Sequence, residues 1–225
     1  MVAQSGIWGP DSAQGYHFRG TLVAVAHGTR SAAGQAQIRS LVDAVAMCRP
    51  DLDVRLTYVD VQEPRIGDTM AHVQDAVIVP LLLSTGHHVR VDIAEAAGDS
   101  TVTPPLGPDP LLTEILAERI GAADAVVLAA AGSSDPAWRA EVQAVADDLG
   151  ARLAFVKEVP RRVADLRRQG AERIVVAAYL LAEGLFYRSL DRAGADRVTP
   201  PLCLDPRVAG LVARRYDLTS ARARM

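Results

Sequence analysis

The residues best placed to do chemistry are His27-Gly28-Thr29-Arg30, which follow the apolar run Val23-Ala24-Val25-Ala26 without a break. A helical pattern of Ile38, Leu41, Val42 and Val45 starts soon after, so these four residues sit where a buried strand turns into a helix. In open α/β sheets ligands collect outside the carboxyl ends of the strands, which places His27 for chemistry. Asp60 occupies the same point after a second strand, and the pair His87-His88 after a third. Given a strand order of 2-1-3-4, the first and third strands flank the crevice at the switch point. Imidazoles and a carboxylate there suit a borderline divalent ion such as Fe²⁺, Co²⁺ or Zn²⁺ and leave positions open for a substrate. A strand end at Asp60 and a helix cap at His88 would account for those two residues without a metal. Neighbouring histidines point in different directions, so one of His87 and His88 joins the set; His72 and His17 read as surface residues.

The elements that must position these groups alternate. Thr21–Ala26 reads as a strand, Ala33–Met47 as an amphipathic helix and Val54–Val59 as a second strand ending at Asp60. A short helix after Pro64, a strand over Ala76–Leu83, a helix after Gly86-His87-His88 through Ala97, a short strand near Thr101–Thr103 and a helix over Leu111–Ile120 complete the set, with Pro110 in the last helix's first turn. The order then restarts: strand Ala125–Ala130, helix Pro136–Leu149, strand Arg152–Val156, helix Pro160–Gln169, strand Arg173–Leu181, helix Leu185–Ala193. Val102-Thr103-Pro104-Pro105-Leu106 with Asp109-Pro110 recurs as Val198-Thr199-Pro200-Pro201-Leu202 with Asp205-Pro206, at the same place among the elements. An internal duplication follows. The expected fold is α/β: two similar lobes, each a mainly parallel four-stranded sheet flanked by helices. A flexible N-terminal segment is expected over residues 1–20, the first lobe over 21–121 and the second over 122–225, with the boundary near Gly121–Asp124.

The duplication serves as a control. Ala26-His27-Gly28-Thr29 aligns with Ala130-Ala131-Gly132-Ser133, and Gly86-His87-His88 with Gly184-Leu185-Phe186; Asp60, four before Pro64, aligns with Val156, four before Pro160. The glycines persist and the polar groups do not, which points to one active site and a partner lobe that shapes it.

Composition narrows the function classes. A formal net charge of −3 argues against nucleic-acid and membrane-surface partners. Residues 1–120 carry 8 Lys/Arg against 14 Asp/Glu and all five histidines, whereas residues 121–225 carry 16 against 13. The two isolated cysteines, Cys48 and Cys203, fit no zinc spacing. No apolar run approaches the ~20 residues of a membrane span, and the N-terminus does not read as a secretory signal. A soluble, cytoplasmic protein is expected. With no Gly-x-Gly-x-x-Gly after a strand and no Walker loop, no nucleotide cofactor is indicated.

The His-Gly-Thr-Arg turn, the run Pro80-Leu81-Leu82-Leu83 leading to Gly86-His87-His88 and then Asp92-Ile93, and the Asp60/Pro64 spacing together resemble the sirohydrochlorin chelatases, which insert iron or cobalt into a tetrapyrrole without ATP. The resemblance covers Thr21 to about Tyr216. It implies a duplicated chelatase fold with a cleft between lobes, and metal-handling residues at His27, Asp60 and His88. Many relatives carry glutamate where this chain has Asp60, which keeps the charge and shortens the reach. The metal would be a substrate, with Fe²⁺ expected before Co²⁺ because siroheme is the more widely needed product, and the product would feed siroheme or cobalamin synthesis. Insertion must strip water from the ion, deform a flat ring and remove two pyrrole protons; an imidazole can take a proton or hold the ion, which gives His27 the leading role. A polycarboxylate tetrapyrrole calls for guanidinium groups. Arg30, Arg90 and Arg188 are the expected substrate contacts, with Arg161 and Arg162 as further candidates from the basic lobe. A monomer or a homodimer is compatible, since the duplication supplies a second lobe within one chain. A non-catalytic tetrapyrrole or metal carrier would use the same ligands. A histidine phosphatase would need an arginine where Ala26 stands.

Overall fold

Thr21–Ala26 (β1) alternates between two apolar environments, Leu22, Ala24 and Ala26 on one side and Val23 and Val25 on the other. That two-sided burial explains a strand written almost entirely in apolar residues. In the computed structural model, which describes residues 20–84, 89–132 and 136–223, β1 is followed by α1 (Ala32–Cys48), β2 (Asp53–Tyr58), α2 (Ile66–Met70) and β3 (Ala76–Pro80). A π-helical turn (Val89–Ile93) running into α3 (Ala94–Ala97), then β4 (Thr101–Val102) and α4 (Pro110–Ile120), end the first repeat. The second consists of β5 (Ala125–Ala130), α5 (Pro136–Asp148), β6 (Arg152–Phe155), α6 (Val159–Arg168), β7 (Ile174–Tyr179), α7 (Leu185–Leu190), β8 (Arg197–Val198) and α8 (Arg207–Ala223). Both sheets are four-stranded and parallel, in the orders β2-β1-β3-β4 and β6-β5-β7-β8. This is the expected α/β architecture of two similar lobes.

The two sheets face each other across one shared core. Leu22, Val77 and Val79 from the first sheet and Leu128, Val175 and Ala177 from the second enter the same cluster, filled by apolar faces of α1, α4, α5 and α8. The outer faces have their own cores, against α2 and α3 on one side and α6 and α7 on the other. The helix closing each repeat crosses over: α4 packs on β7 of the second sheet, and α8 packs on β3 and α1 of the first.

This exchange explains the repeated Val-Thr-Pro-Pro-Leu phrase. Arg215 of α8 donates to the carbonyls of Pro105 and Leu106 and to Asp109 Oδ2, each at 3.0 Å. Arg119 of α4, its counterpart in the other repeat, donates to the carbonyls of Pro200 and Pro201 at 3.0 and 3.1 Å and to Asp205 Oδ2 at 3.5 Å. Each phrase is therefore the socket for an arginine on the other lobe's closing helix. Asp109 also caps α4, accepting from the Leu111 amide at 3.0 Å with Pro110 in the first turn, and takes a second guanidinium from Arg214.

Several boundaries differ from the sequence expectation. The third strand ends at Pro80 rather than Leu83, although the Leu81 amide still donates to the Val25 carbonyl at 2.8 Å. The helix through Ala97 opens as a π-helical turn. Before α6 the chain tightens into a 3-10 turn, Val156–Glu158, so β6 stops at Phe155. Most consequential, α8 was not anticipated as an element, although Val208, Leu211, Val212 and Tyr216 carry its buried stripe.

Candidate functional site

The turn after β1 is fixed by its neighbours. Gly28 has φ +98°, in the left-handed region, and any Cβ there would drive into the carbonyl oxygen of Asp60. The amide of Asp60 donates to the His27 carbonyl at 2.9 Å, and the amide of Thr29 to Gln62 Oε1 at 2.9 Å. The loop after β2 is thereby stitched to the turn after β1, and the exposed His27 stands beside Asp60. Ser31 then caps α1.

The loop itself is strained. Val61 has φ +69°, a conformation that a β-branched residue rarely adopts, and the Gln62 amide reaches back to the Asp60 carbonyl at 2.8 Å, closing a three-residue turn. Such a conformation costs about 1–3 kcal/mol and persists only where its surroundings enforce it. The result is a fixed carboxylate. Asp60 Oδ1 accepts from its neighbouring Val61 amide at 2.7 Å and from Arg65 at 2.9 Å. Those two bonds, the amide first, hold the Asp60 carboxyl below the usual carboxylate range, so it is anionic at neutral pH. Arg65 is steadied by Glu63 and by the Val59 carbonyl. Both of these bonds to the Asp60 side chain fall on Oδ1, and the side chain is 59% exposed. His27 Nδ1 lies 3.4 Å from the Gly28 carbonyl, a weak contact.

The structure thus brings together His27 and Asp60. His88, with His87, lies outside the described residues, as does His17; Arg90 falls in the π-helical turn, and its side chain lies outside the described part of the molecule. Among the described residues no cluster of three or more His, Cys, Asp or Glu is placed to hold a metal ion. His72 is exposed and contacts the Asp68 carbonyl within its own helix end. Cys203 is buried, which pushes its thiol up to about 12 and keeps it from acting as a thiolate at neutral pH. Arg30 and Arg188 are exposed and, among the described residues, form no side-chain hydrogen bond or ion pair; Arg161 and Arg162, in the first turn of α6, likewise pair with no described carboxylate. Arg49, Arg65, Arg119, Arg173, Arg207 and Arg215, in contrast, are engaged structurally.

The second lobe meets this site edge to edge. Glu183, in the loop after β7, exchanges bonds with Gln37 of α1: its amide donates to Gln37 Oε1 at 2.8 Å, and Gln37 Nε2 donates to Glu183 Oε1 at 3.0 Å. Tyr179, at the end of β7, donates its hydroxyl to the Leu83 carbonyl at 3.0 Å. The carboxyl edges of the two sheets are therefore joined where the His27 turn lies. Strand register also corrects one alignment. Tyr58 pairs with Ala26 and Phe155 with Ala130, so Asp60, two beyond Tyr58, answers to Lys157 and not to Val156. The counterpart of the carboxylate is a cation. Sequence reasoning missed Arg65, Gln62 and strained Val61; their position between Asp60 and the start of α2 was the available signal.

The sequence pattern of CbiX matches residues 21–123 and again 125–219. The chain belongs to the CbiX family of sirohydrochlorin chelatases. The two matches of this CbiX-family chain fall on its two sheets. It is similar to the sirohydrochlorin ferrochelatase of Priestia megaterium, 28% identical over 202 residues that span 74% of each protein. It shares its fold with the sirohydrochlorin chelatase SirB of Bacillus subtilis subspecies spizizenii, solved in complex with cobalt (TM-score 0.69, 21% identity, 88% of this chain and 93% of that one). A structure of CbiX, described as the terminal enzyme for biosynthesis of siroheme in denitrifying bacteria, overlays with a TM-score of 0.66 at 24% identity, covering 89% and 99% of the chains. In this CbiX-family chain no helix among the described residues is long and apolar enough to cross a membrane.

Proposed function

We propose that this chain inserts a divalent metal ion into sirohydrochlorin, with Fe²⁺ as its working substrate and Co²⁺ as the next best. The observation that carries the reading is the pairing of His27 with a fixed, ionised Asp60 at the junction of the two lobes, where the second lobe offers Ala131 and Lys157 instead. Family membership supports the tetrapyrrole, and the ferrochelatase name of the Priestia relative favours iron.

The roles follow from the chemistry of the groups. The Asp60 carboxylate attracts the hydrated cation and offers Oδ2 while Arg65 holds Oδ1. His27, with a lone pair on one ring nitrogen, replaces a water on the ion or accepts a pyrrole proton. His88 completes the metal-handling set. Arg30, Arg90 and Arg188 bind the carboxylates of the pigment, whose planar geometry suits bidentate guanidinium contacts.

The test is anaerobic absorbance of sirohydrochlorin with Fe²⁺ or Co²⁺, comparing the wild-type protein, His27→Ala and no protein. Faster metallation that depends on His27 is expected, and the ratio of the two rates ranks the metals. Tight pigment binding with no acceleration would make the protein a carrier, and absence of binding would remove the tetrapyrrole from the reading.

A further inference from the structure

Where the first lobe carries His87-His88 after its third strand, the second carries Leu185-Phe186. Strand register supports this correspondence: Ala24 pairs with Val79 in one sheet as Leu128 pairs with Ala177 in the other, which carries Gly86 onto Gly184. Leu185 is 77% exposed and Phe186 45%. Isolated apolar residues on a surface need no explanation, but here two large ones are consecutive and open a helix. α7 does not lack a core to bury them in, because Leu190 is buried and Tyr187 half-buried against the outer cluster of the second lobe.

Their position gives the exposure a use. Leu185 follows Gly184, on which a Cβ would stand 3.5 Å from Thr29 Oγ1, within the turn that carries His27. The preceding residue, Glu183, is the one bonded to Gln37 of α1. The apolar pair is thus anchored at the lobe junction, one residue from contact with the catalytic turn. Leu185 and Arg188 are three apart and share a helix face. Among the described residues Arg188 pairs with no carboxylate, and neither does Arg30 on the opposite side of the junction. An apolar surface flanked by uncommitted guanidinium groups is complementary to a flat macrocycle with carboxylates on its rim. A bare metal ion would use neither feature.

We propose that Leu185, on the α7 face it shares with Arg188, and Phe186, about 100° around the helix from it, together border one face of the extended tetrapyrrole as an apolar wall, with Arg188 and Arg30 binding its peripheral carboxylates, so that the ring is held against the first lobe's His27. This rests on the chelatase reading above. The wall divides the work between the lobes, the first handling the ion and the second holding the ring.

The experiment is anaerobic titration of the full chain with metal-free sirohydrochlorin, followed by quenching of the pigment's fluorescence, for the wild type, Leu185→Ser, Phe186→Ser, the double variant and the conservative Phe186→Tyr. Loss of apolar contact area predicts roughly tenfold weaker binding for each single serine variant, with Phe186→Tyr near wild type because the ring surface remains. In turnover the change falls on KM more than on kcat. Circular dichroism checks that the variants stay folded, which their exposure favours. Wild-type binding that the double variant retains in full would overturn the wall while leaving the chelatase reading intact. A shift in sedimentation without a change in pigment affinity would overturn it too, by making the pair a self-association surface. Failure of the wild type to bind would overturn the chelatase reading and the wall with it.

Discussion

The turns that follow β1 and β5 are the same backbone put to different use. Gly28 and Gly132 have φ of +98° and +94°, and each ends a strand whose residues are almost wholly buried. Their surroundings diverge from there. At Gly28 the carbonyl of Asp60 closes in so tightly that no side chain fits, whereas a Cβ on Gly132 would meet the Phe155 side chain at an ordinary 3.5 Å. The glycine in the second lobe serves the turn alone; the glycine in the first also admits the neighbouring loop and brings a carboxylate to a histidine. Duplication kept the geometry of the turn and left the histidine and the carboxylate to one copy.

Four experiments press on this comparison. The largest effect is expected from His27→Ala, which should lower the rate of metallation by roughly 10²–10⁴-fold, the range for a general acid–base group, with circular dichroism unchanged. Adding Ala131→His to that variant should restore nothing, since Lys157 stands where a carboxylate is needed; recovered turnover would show the lobes to be interchangeable. Next comes the glycine pair. Gly132→Ala should cost roughly 1–2 kcal/mol in urea unfolding, for the left-handed backbone alone, and spare turnover. Gly28→Ala should cost more and lower turnover as well, by less than His27→Ala does, as Asp60 is displaced. Equal effects at the two positions would deny the first turn its special packing.

The interlobe sockets come third. Arg215→Ala should destabilise the fold by roughly 2–3 kcal/mol, because it strips charge-assisted bonds from the buried Asp109 and from two carbonyls, although Arg214 remains. Arg119→Ala, whose bond to Asp205 is longer, should cost less. The smallest effect is a pH dependence. Asp205 is held below the ordinary carboxylate range chiefly by Arg207. Its contribution to stability is therefore complete above the unfolded value of ~3.9 and is lost as pH falls through the lower folded value. Asp205→Asn should flatten that acid limb in unfolding measurements made from pH 5 downward.

Much of the fold was legible because local rules write it. Apolar runs ending at His27 and at Gly132 announce strand-to-helix turns, and the Asp109-Pro110 pair announces a helix start. The duplication even specifies α8 by analogy with α4. The exchange of α4 and α8 was not legible, because it depends on which sheet each apolar stripe meets. The guanidinium sockets were hidden for a related reason: Arg215 finds Asp109 from 106 residues away, and no local pattern marks such a pair. At the site, His27 and Asp60 could be named from their places at strand ends. Arg65 could not, because a charged residue beside a proline reads as surface until its partner is seen.

The crossing of the closing helices also governs how the molecule comes into being. A ribosome delivers the first sheet long before α8, the last described helix, so the inner face of that sheet leaves the exit tunnel without one of the two helices that will cover it. Independent folding of the first half during synthesis would expose Leu22, Val77 and Val79 to water. The nascent first lobe should therefore stay incompletely packed until its lid is translated, and the two halves should reach their final form together. A chain severed between the repeats should recover that form only when both pieces are present together.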